Sequence, residues 1–298
     1  MDKLSAKVNI HHAVIEGSYF IAFSAAIGFG PVLLLHLGLS NSVLGAVTSL
    51  ALLLPLLVQP ALAAVSDADR RWTSRRIALA LSVLTLIAAA AMTACTGRKT
   101  VLLAAYAVLC VLLVCVAPFF NSMVMEFHLR GVSVNYGLGR GTGSTTYAIV
   151  ALVLGFVLER RPPTVMLPVL LAALAAQILS VWSFRYPLPP AAETAERAAP
   201  PVLSLRALLR KYPAFAVLLL GCALLQGSHN ACNTYMIHIA AKVGAGEGLM
   251  GTILALSAFM ELPSMALFPR IRRRLSLEAL FRLCAAAFVA RNVLFLLA

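Results

Sequence analysis

Apolar stretches of near-constant length recur along the whole chain and set its architecture. They run from about His12 to Leu37, Ser42 to Val65, Ile77 to Thr96, Val101 to Phe120, Gly141 to Leu158 and Thr164 to Phe184. After a polar interval they resume at Pro213 to Tyr235, Gly248 to Phe268 and Leu277 to Ala298. Each is close to the ~20 residues that a helix needs to cross ~30 Å of hydrocarbon. None shows the alternating polarity of a membrane barrel strand, and in lipid only a helix satisfies its own backbone. The pattern predicts an all-α polytopic membrane protein.

Between the sixth and seventh spans, Arg185 to Tyr212 carries Pro187, Pro189, Pro190, Pro200 and Pro201 with mixed charges, which is linker composition. The expected organisation is a six-helix N-terminal bundle (1–184), an inner linker (185–212) and three further helices (213–298). Within the linker, Val202 to Leu209 could form a short amphipathic helix on the membrane surface. A basic loop follows the second span of each part, Ser66 to Arg76 and Arg270 to Leu275. Such recurrence is expected of two related six-helix halves, in which case twelve spans are anticipated and the chain stops in the ninth, short of a full crossing.

Composition agrees with the pattern. Apolar residues make up 61% and charged residues 12% of the 298 residues, and mean hydropathy is +0.92. The net charge of +13 does not point to nucleic acid, because its placement follows the membrane. With the N-terminus inside, the outer loops receive only Arg98, Lys99, Arg160, Arg161 and Lys242, as the positive-inside rule expects of a cytoplasmic membrane. The six cysteines lie in or beside apolar runs without CxxC spacing, so they read as small buried hydrophobes. The N-terminus lacks the layout of a cleaved signal.

Ionisable residues inside spans are costly and usually functional. Glu261 and Arg291 lie in consecutive spans at comparable depths, about 10–14 Å and about 12 Å from the inner ends at ~1.5 Å per residue. A protonatable carboxylate beside an arginine can serve as a proton switch, or as a fixed ion pair. His12 and Glu16, four residues apart, share a helix face in span one and read either as a proton or substrate contact or as an interfacial pair. Arg140 has the forked donor set suited to hydroxyls or a carboxylate, or it caps the inner end of span five. Gly139, Gly141 and Gly143 do not form GxGxxG and follow no strand, so close helix packing explains them. HExxH, GxSxG and P-loop signatures are absent, which argues against an enzyme, and no polar stretch is long enough for a sensor's output domain. No cofactor or metal is expected.

Several of these stretches resemble a known family. Pro60 to Asp67, followed by Arg70, Arg71, Arg75 and Arg76, resembles the loop between the second and third helices of the major facilitator superfamily, with Ala63 where the family has Gly. An acid closing one helix and arginines opening the next can form a network that breaks when a transporter changes state. The segments from Ser18 through Leu50 and from Leu57 to Asp67 look like the lactose permease type of oligosaccharide/proton symporter. Asn135 to Ser144 is similar to that branch's stretch at the fifth helix. By this likeness Arg140 stands for the substrate-contacting arginine and Glu126 for its acidic partner. Met260 to Pro263 and Phe288 to Arg291 continue it, which implies Glu261 in substrate recognition and proton coupling and Arg291 in proton release. The likeness departs in span seven, where Ser228, His229, Asn230 and Asn233 replace acidic residues, and in the absence of a tenth helix.

The expectation is a monomeric secondary transporter moving a small polar solute, of sugar, nucleoside or organic acid class, by proton symport. Glu126, Arg140 and Glu261 are the expected solute contacts, and Glu261 with Arg291 the proton-coupling residues. Asp67, Arg70, Arg71, Arg75 and Arg76 form the expected switch loop. Drug or metabolite efflux by the same fold is the competing reading if Arg140 turns away from the interior.

Overall fold

Span one is broken, because its sequence Ser24-Ala-Ala-Ile-Gly-Phe-Gly-Pro31 cannot sustain one regular helix. In the computed structural model, which describes residues 3–68, 71–189, 205–242, 244 and 246–297, α1 (Lys3–Phe23) passes through a π-helical turn (Ser24–Gly28) into α2 (Gly30–His36). The Phe29 amide reaches back five residues to the Ser24 carbonyl at 3.1 Å. Pro31 then starts α2, where its missing N–H costs nothing. A side chain at Gly30 would collide with the Tyr106 ring, so the break is also where two spans approach closely. Pro55 likewise divides span two into α3 (Asn41–Leu53) and α4 (Pro55–Ala68).

The remaining N-terminal spans are α5 (Ser74–Ala94), α6 (Lys99–His128), α7 (Tyr136–Leu158) and α8 (Met166–Ser183). Their starts follow from caps. Thr73 Oγ1 accepts from the Arg76 amide at 3.4 Å, and Asn135 Oδ1 accepts from the Leu138 amide at 3.1 Å. Capping at Asn135 begins α7 five residues before the apolar run and sets Arg140 in its second turn. Helices overrun the apolar stretches at other ends too, since hydrocarbon sets where a helix must exist and not where it stops. α6 runs eight residues past Phe120 and α1 begins nine before His12.

Within the linker lies the short helix α9 (Leu205–Lys211), and beyond it come α10 (Pro213–Thr234), α11 (Met236–Lys242), α12 (Glu247–Arg274) and α13 (Leu277–Leu297). Among the described residues there is no strand, and seven helices or helix pairs are long and apolar enough to cross a membrane. The apolar part of α12, Gly248–Glu261, is shorter. α13 is 21 residues long but carries Glu278, Arg282 and Arg291.

The buried core lies mainly in the first six spans, with Phe29, Leu33, Tyr106, Leu113, Phe120 and Leu170 at its centre. α1 packs on α7 and α8, and α5 on α6 and α8. The start of α1 is tied to the α6–α7 connection: Asn9 Nδ2 donates to the Ser133 carbonyl at 3.0 Å, and the Asn135 amide donates to Asn9 Oδ1 at 2.8 Å. The principal link to the later helices is α7 against α12. There Gly251 lies so close to the Ala151 carbonyl and the Gly155 Cα that any side chain would meet backbone. This is the small-residue packing that brings membrane helices together.

Candidate functional site

α1, the π-helical turn, α3, α6, α7, α10 and α12 enclose a cavity of about 490 Å³. Its contents follow from helix periodicity. Arg140 and Ser144 are one turn apart, so both point from α7 toward α12. There they meet Glu261: Ser144 Oγ donates to Oε2 at 2.5 Å, and Arg140 Nη2 lies 3.6 Å from the same oxygen. The guanidinium also stacks on Phe20, 4.7 Å from its centroid. Phe20 in turn packs over Gly143, where a side chain would occupy the ring's place. Tyr19, Phe23, Phe120 and Tyr147 complete an aromatic cluster around Phe20. Gln226, His229, Asn230 and Thr234 of α10 and Ser257 of α12 supply further polar groups to the lining.

Arg291 is placed differently from the expected direct pair with Glu261. Its Nη1 donates to His229 Nδ1 at 2.7 Å, and its guanidinium lies 5.2 Å and 5.7 Å from the ring centroids of Phe288 and Phe295. His229 lines the cavity and lies within electrostatic reach of both Arg291 and Glu261. Arg291 Nε and Nη2 are buried and have no hydrogen-bond partner among the described residues.

Glu126, expected beside Arg140, lies elsewhere. It accepts from Ser74 Oγ at 2.7 Å and lines a second cavity at the end of the bundle that carries the N-terminus. The reason is geometric: α6 ends two residues past Glu126, at His128, beside the start of α5, whose first-turn amides and hydroxyls attract a carboxylate. Of the expected switch loop, the Asp67 side chain and Arg70 lie outside the described residues. Arg76 Nη1 donates to the Arg71 carbonyl at 2.7 Å, and Arg75 Nη1 to the Trp182 carbonyl at 3.2 Å.

Glu16 lines the central cavity, and His12 is buried behind it with 1% exposure. His12 Nε2 is 3.5 Å from Glu16 Oε1, and the ring fills the space left by Gly139. At the far end of the bundle, Glu159 Oε1 accepts from the Gly248 amide at 3.1 Å, setting a carboxylate on the N-terminus of α12. Nearby, His238 Nε2 donates to Asn41 Oδ1 at 2.8 Å, and Tyr235 closes against Gly45. Sequence reasoning passed over Ser144, Glu159 and Asn292. Ser144 could have been found from its one-turn spacing to Arg140, and Asn292 as an amide inside an apolar run. Glu159 gives no local signal, because its partner is 89 residues away. Among the described residues, no group of three His, Cys, Asp or Glu side chains is arranged to hold a metal.

These helices and this cavity can be set beside known proteins. The model of the MFS_1 like family matches residues 12–298. The chain belongs to the MFS_1 like family. A crystal structure of a mutant of the nucleoside transporter NupG is similar to it, with a TM-score of 0.68 at 14% identity, over 90% of this chain and 68% of that one. That is a likeness of fold. No curated protein matches the chain. An MFS_1 like chain with this helical fold is a transporter of small solutes, not an enzyme.

Proposed function

We propose that the chain carries a small polar solute through the central cavity as a proton symporter of the cytoplasmic membrane, with the N-terminus inside. On this reading residues 1–184 and 213–298 form two bundles, joined by 185–212, that alternate access to the solute. The observation that carries the proposal is the Arg140–Ser144–Glu261 constellation, contributed by α7 and α12, on the wall of a cavity sized for one small molecule. Arg140 faces that cavity, which favours a polar solute over efflux of an apolar one. The aromatic cluster at Phe20 beside Arg140, with amides in the same lining, suits a ring-bearing solute with several hydroxyls, of sugar or nucleoside class. The fold likeness to a nucleoside transporter supports keeping the nucleoside class in view, and the motif likeness to oligosaccharide/proton symporters supports the sugars.

The geometry supports a route for coupling. A proton on Glu261 would weaken its hold on Arg140 and free the guanidinium for solute hydroxyls. His229, bonded to Arg291 and lining the same cavity as Glu261, gives the proton a second station. Glu126 has no part in solute contact on this reading. The contacts at Glu159, Asn41 and Tyr235 support a form sealed at the far end and accessible from the end that carries the N-terminus.

The test is uptake of a radiolabelled panel of sugars, nucleosides and organic acids into cells expressing the protein. A member of the panel accumulates above background, a protonophore collapses the accumulation, and Glu261→Gln abolishes it while retaining solute exchange. Accumulation that survives both the protonophore and Glu261→Gln would sink the coupling claim.

A further inference from the structure

The second cavity, at the end of the bundle that carries the N-terminus, is separate from the central cavity and includes Arg75 and Arg76 of the expected switch loop. It measures about 570 Å³ and lies between the start of α5, the end of α6 and the segment that leaves α8. Three guanidinium groups line it, those of Arg75, Arg76 and Arg185. Arg75 lies within electrostatic reach of both others, so like charges are crowded there. Each keeps donors beyond those already used. Arg75 and Arg185 both donate to the Trp182 carbonyl, at 3.2 Å each, and Arg76 donates to the Arg71 carbonyl. Among the described residues Glu126 is the one carboxylate in the lining, and it is engaged by Ser74. Three positive charges against one negative leave the site cationic.

The opposite wall is apolar, formed by Met123, Phe127, Phe184 and Leu188. A cationic mouth set against a hydrocarbon wall fits an anionic amphiphile better than a free anion. The neighbourhood is that of a membrane surface. Trp182, 52% exposed, carries Arg185 stacked 4.6 Å from its ring, and Trp72 is 46% exposed near the same end. Exposed tryptophans mark the headgroup level of a bilayer. Basic pockets between transmembrane helices at that level recognise anionic headgroups.

We propose that this cavity binds an anionic phospholipid, its phosphate held by Arg75, Arg76 and Arg185 and its acyl chain laid against Phe127 and Phe184. The lipid offsets the mutual repulsion of the arginines and ties α5 to α8. This site is independent of whatever the central cavity carries.

Native mass spectrometry of the full chain tests it, titrating phosphatidylglycerol and phosphatidylcholine of matched chains, with inorganic phosphate as competitor. The unmodified chain prefers phosphatidylglycerol, and phosphate does not displace it. The pair Arg75→Gln with Arg185→Gln weakens phosphatidylglycerol binding about 25-fold, at about fivefold per arginine facing an anionic surface. The pair Arg273→Gln with Arg274→Gln, equally basic and at the same end, leaves it unchanged. Lysine at positions 75 and 185 keeps most of the preference, which separates lost charge from lost fold. The proposal is overturned by equal loss in the two glutamine pairs, by lysines that bind no better than glutamines, by displacement with phosphate, or by no preference between the lipids.

Discussion

The first six spans and the later helices are built from the same apolar residue types, yet they are held in opposite ways. The N-terminal group is packed through large side chains: Tyr106, Phe29, Phe120 and their neighbours are almost wholly enclosed. α10 and α13 have no fully buried residue among those described, and Val217 and Leu224 are 72% and 68% exposed. What joins α10 to α13 is polar. Asn292 Nδ2 donates to Ser228 Oγ at 2.6 Å, Arg291 donates to His229, and Cys232 Sγ lies 3.6 Å from Asn292 Oδ1. The difference teaches that apolarity places a helix in lipid without telling it which neighbour to touch. Lipid tails are as apolar as leucine, so contact must come from close fit or from hydrogen bonds.

The comparison is broken most severely where the two groups meet by fit. Gly251→Leu forces a side chain into the Ala151 carbonyl and the Gly155 backbone, neither of which can turn aside. The expected cost is about 1–3 kcal/mol, and unfolding in detergent should show α12 released while α1 to α8 keep their own transition. A single unchanged transition would refute the close-fit account. Next comes the polar join. In a double-mutant cycle, Ser228→Ala and Asn292→Ala should couple by about 0.6 kcal/mol, the usual worth of an interhelical hydrogen bond in a membrane protein. Gln177→Leu with Ser82→Ala in the N-terminal group offers the comparison, since Gln177 Nε2 donates to Ser82 Oγ at 2.8 Å inside a fully packed core. The smallest expected effect is at the far end. Glu159→Gln removes the charge on the N-terminus of α12, worth about 0.3–1 kcal/mol. It should raise thiol labelling of a Thr48→Cys reporter from the far side several-fold without altering the packing of α1 to α8. Unchanged labelling would mean that Glu159 does not help to seal that end.

Much of the fold was legible from the chain. Apolar runs of spanning length announced helices, the breaks at Gly30 and Pro55 inside two of those runs were not anticipated, and where a short helix was expected at Val202 to Leu209 one is described at Leu205–Lys211. The expected major facilitator superfamily agrees with the MFS_1 like family that the chain matches, and that match does not extend to the oligosaccharide/proton symporter branch. The site was only half legible. Arg140 and Glu261 could be singled out because charges within apolar runs are conspicuous, and the fold brings them together across 121 residues of sequence. Arg291 was equally conspicuous but its neighbour was not predictable. Depth along a helix is readable from sequence, whereas rotation about the helix axis is set by packing, and that rotation turns Arg291 to His229. Glu126 shows the same limit, since its place depends on where α5 begins relative to the end of α6.

What the sequence determined by itself is whatever depends on length and local chemistry: the presence and approximate place of apolar helices and which charges lie among them. The tertiary structure alone decided the partners: Arg140 and Ser144 with Glu261, Arg291 with His229, Glu159 with the start of α12, and Glu126 away from the central cavity. The physical reason lies in the solvent. A bilayer requires each span to satisfy its own backbone, a condition each run of sequence meets unaided. It exerts almost no preference among apolar faces, so pairing is left to glycine contacts and polar bonds between segments far apart in the chain.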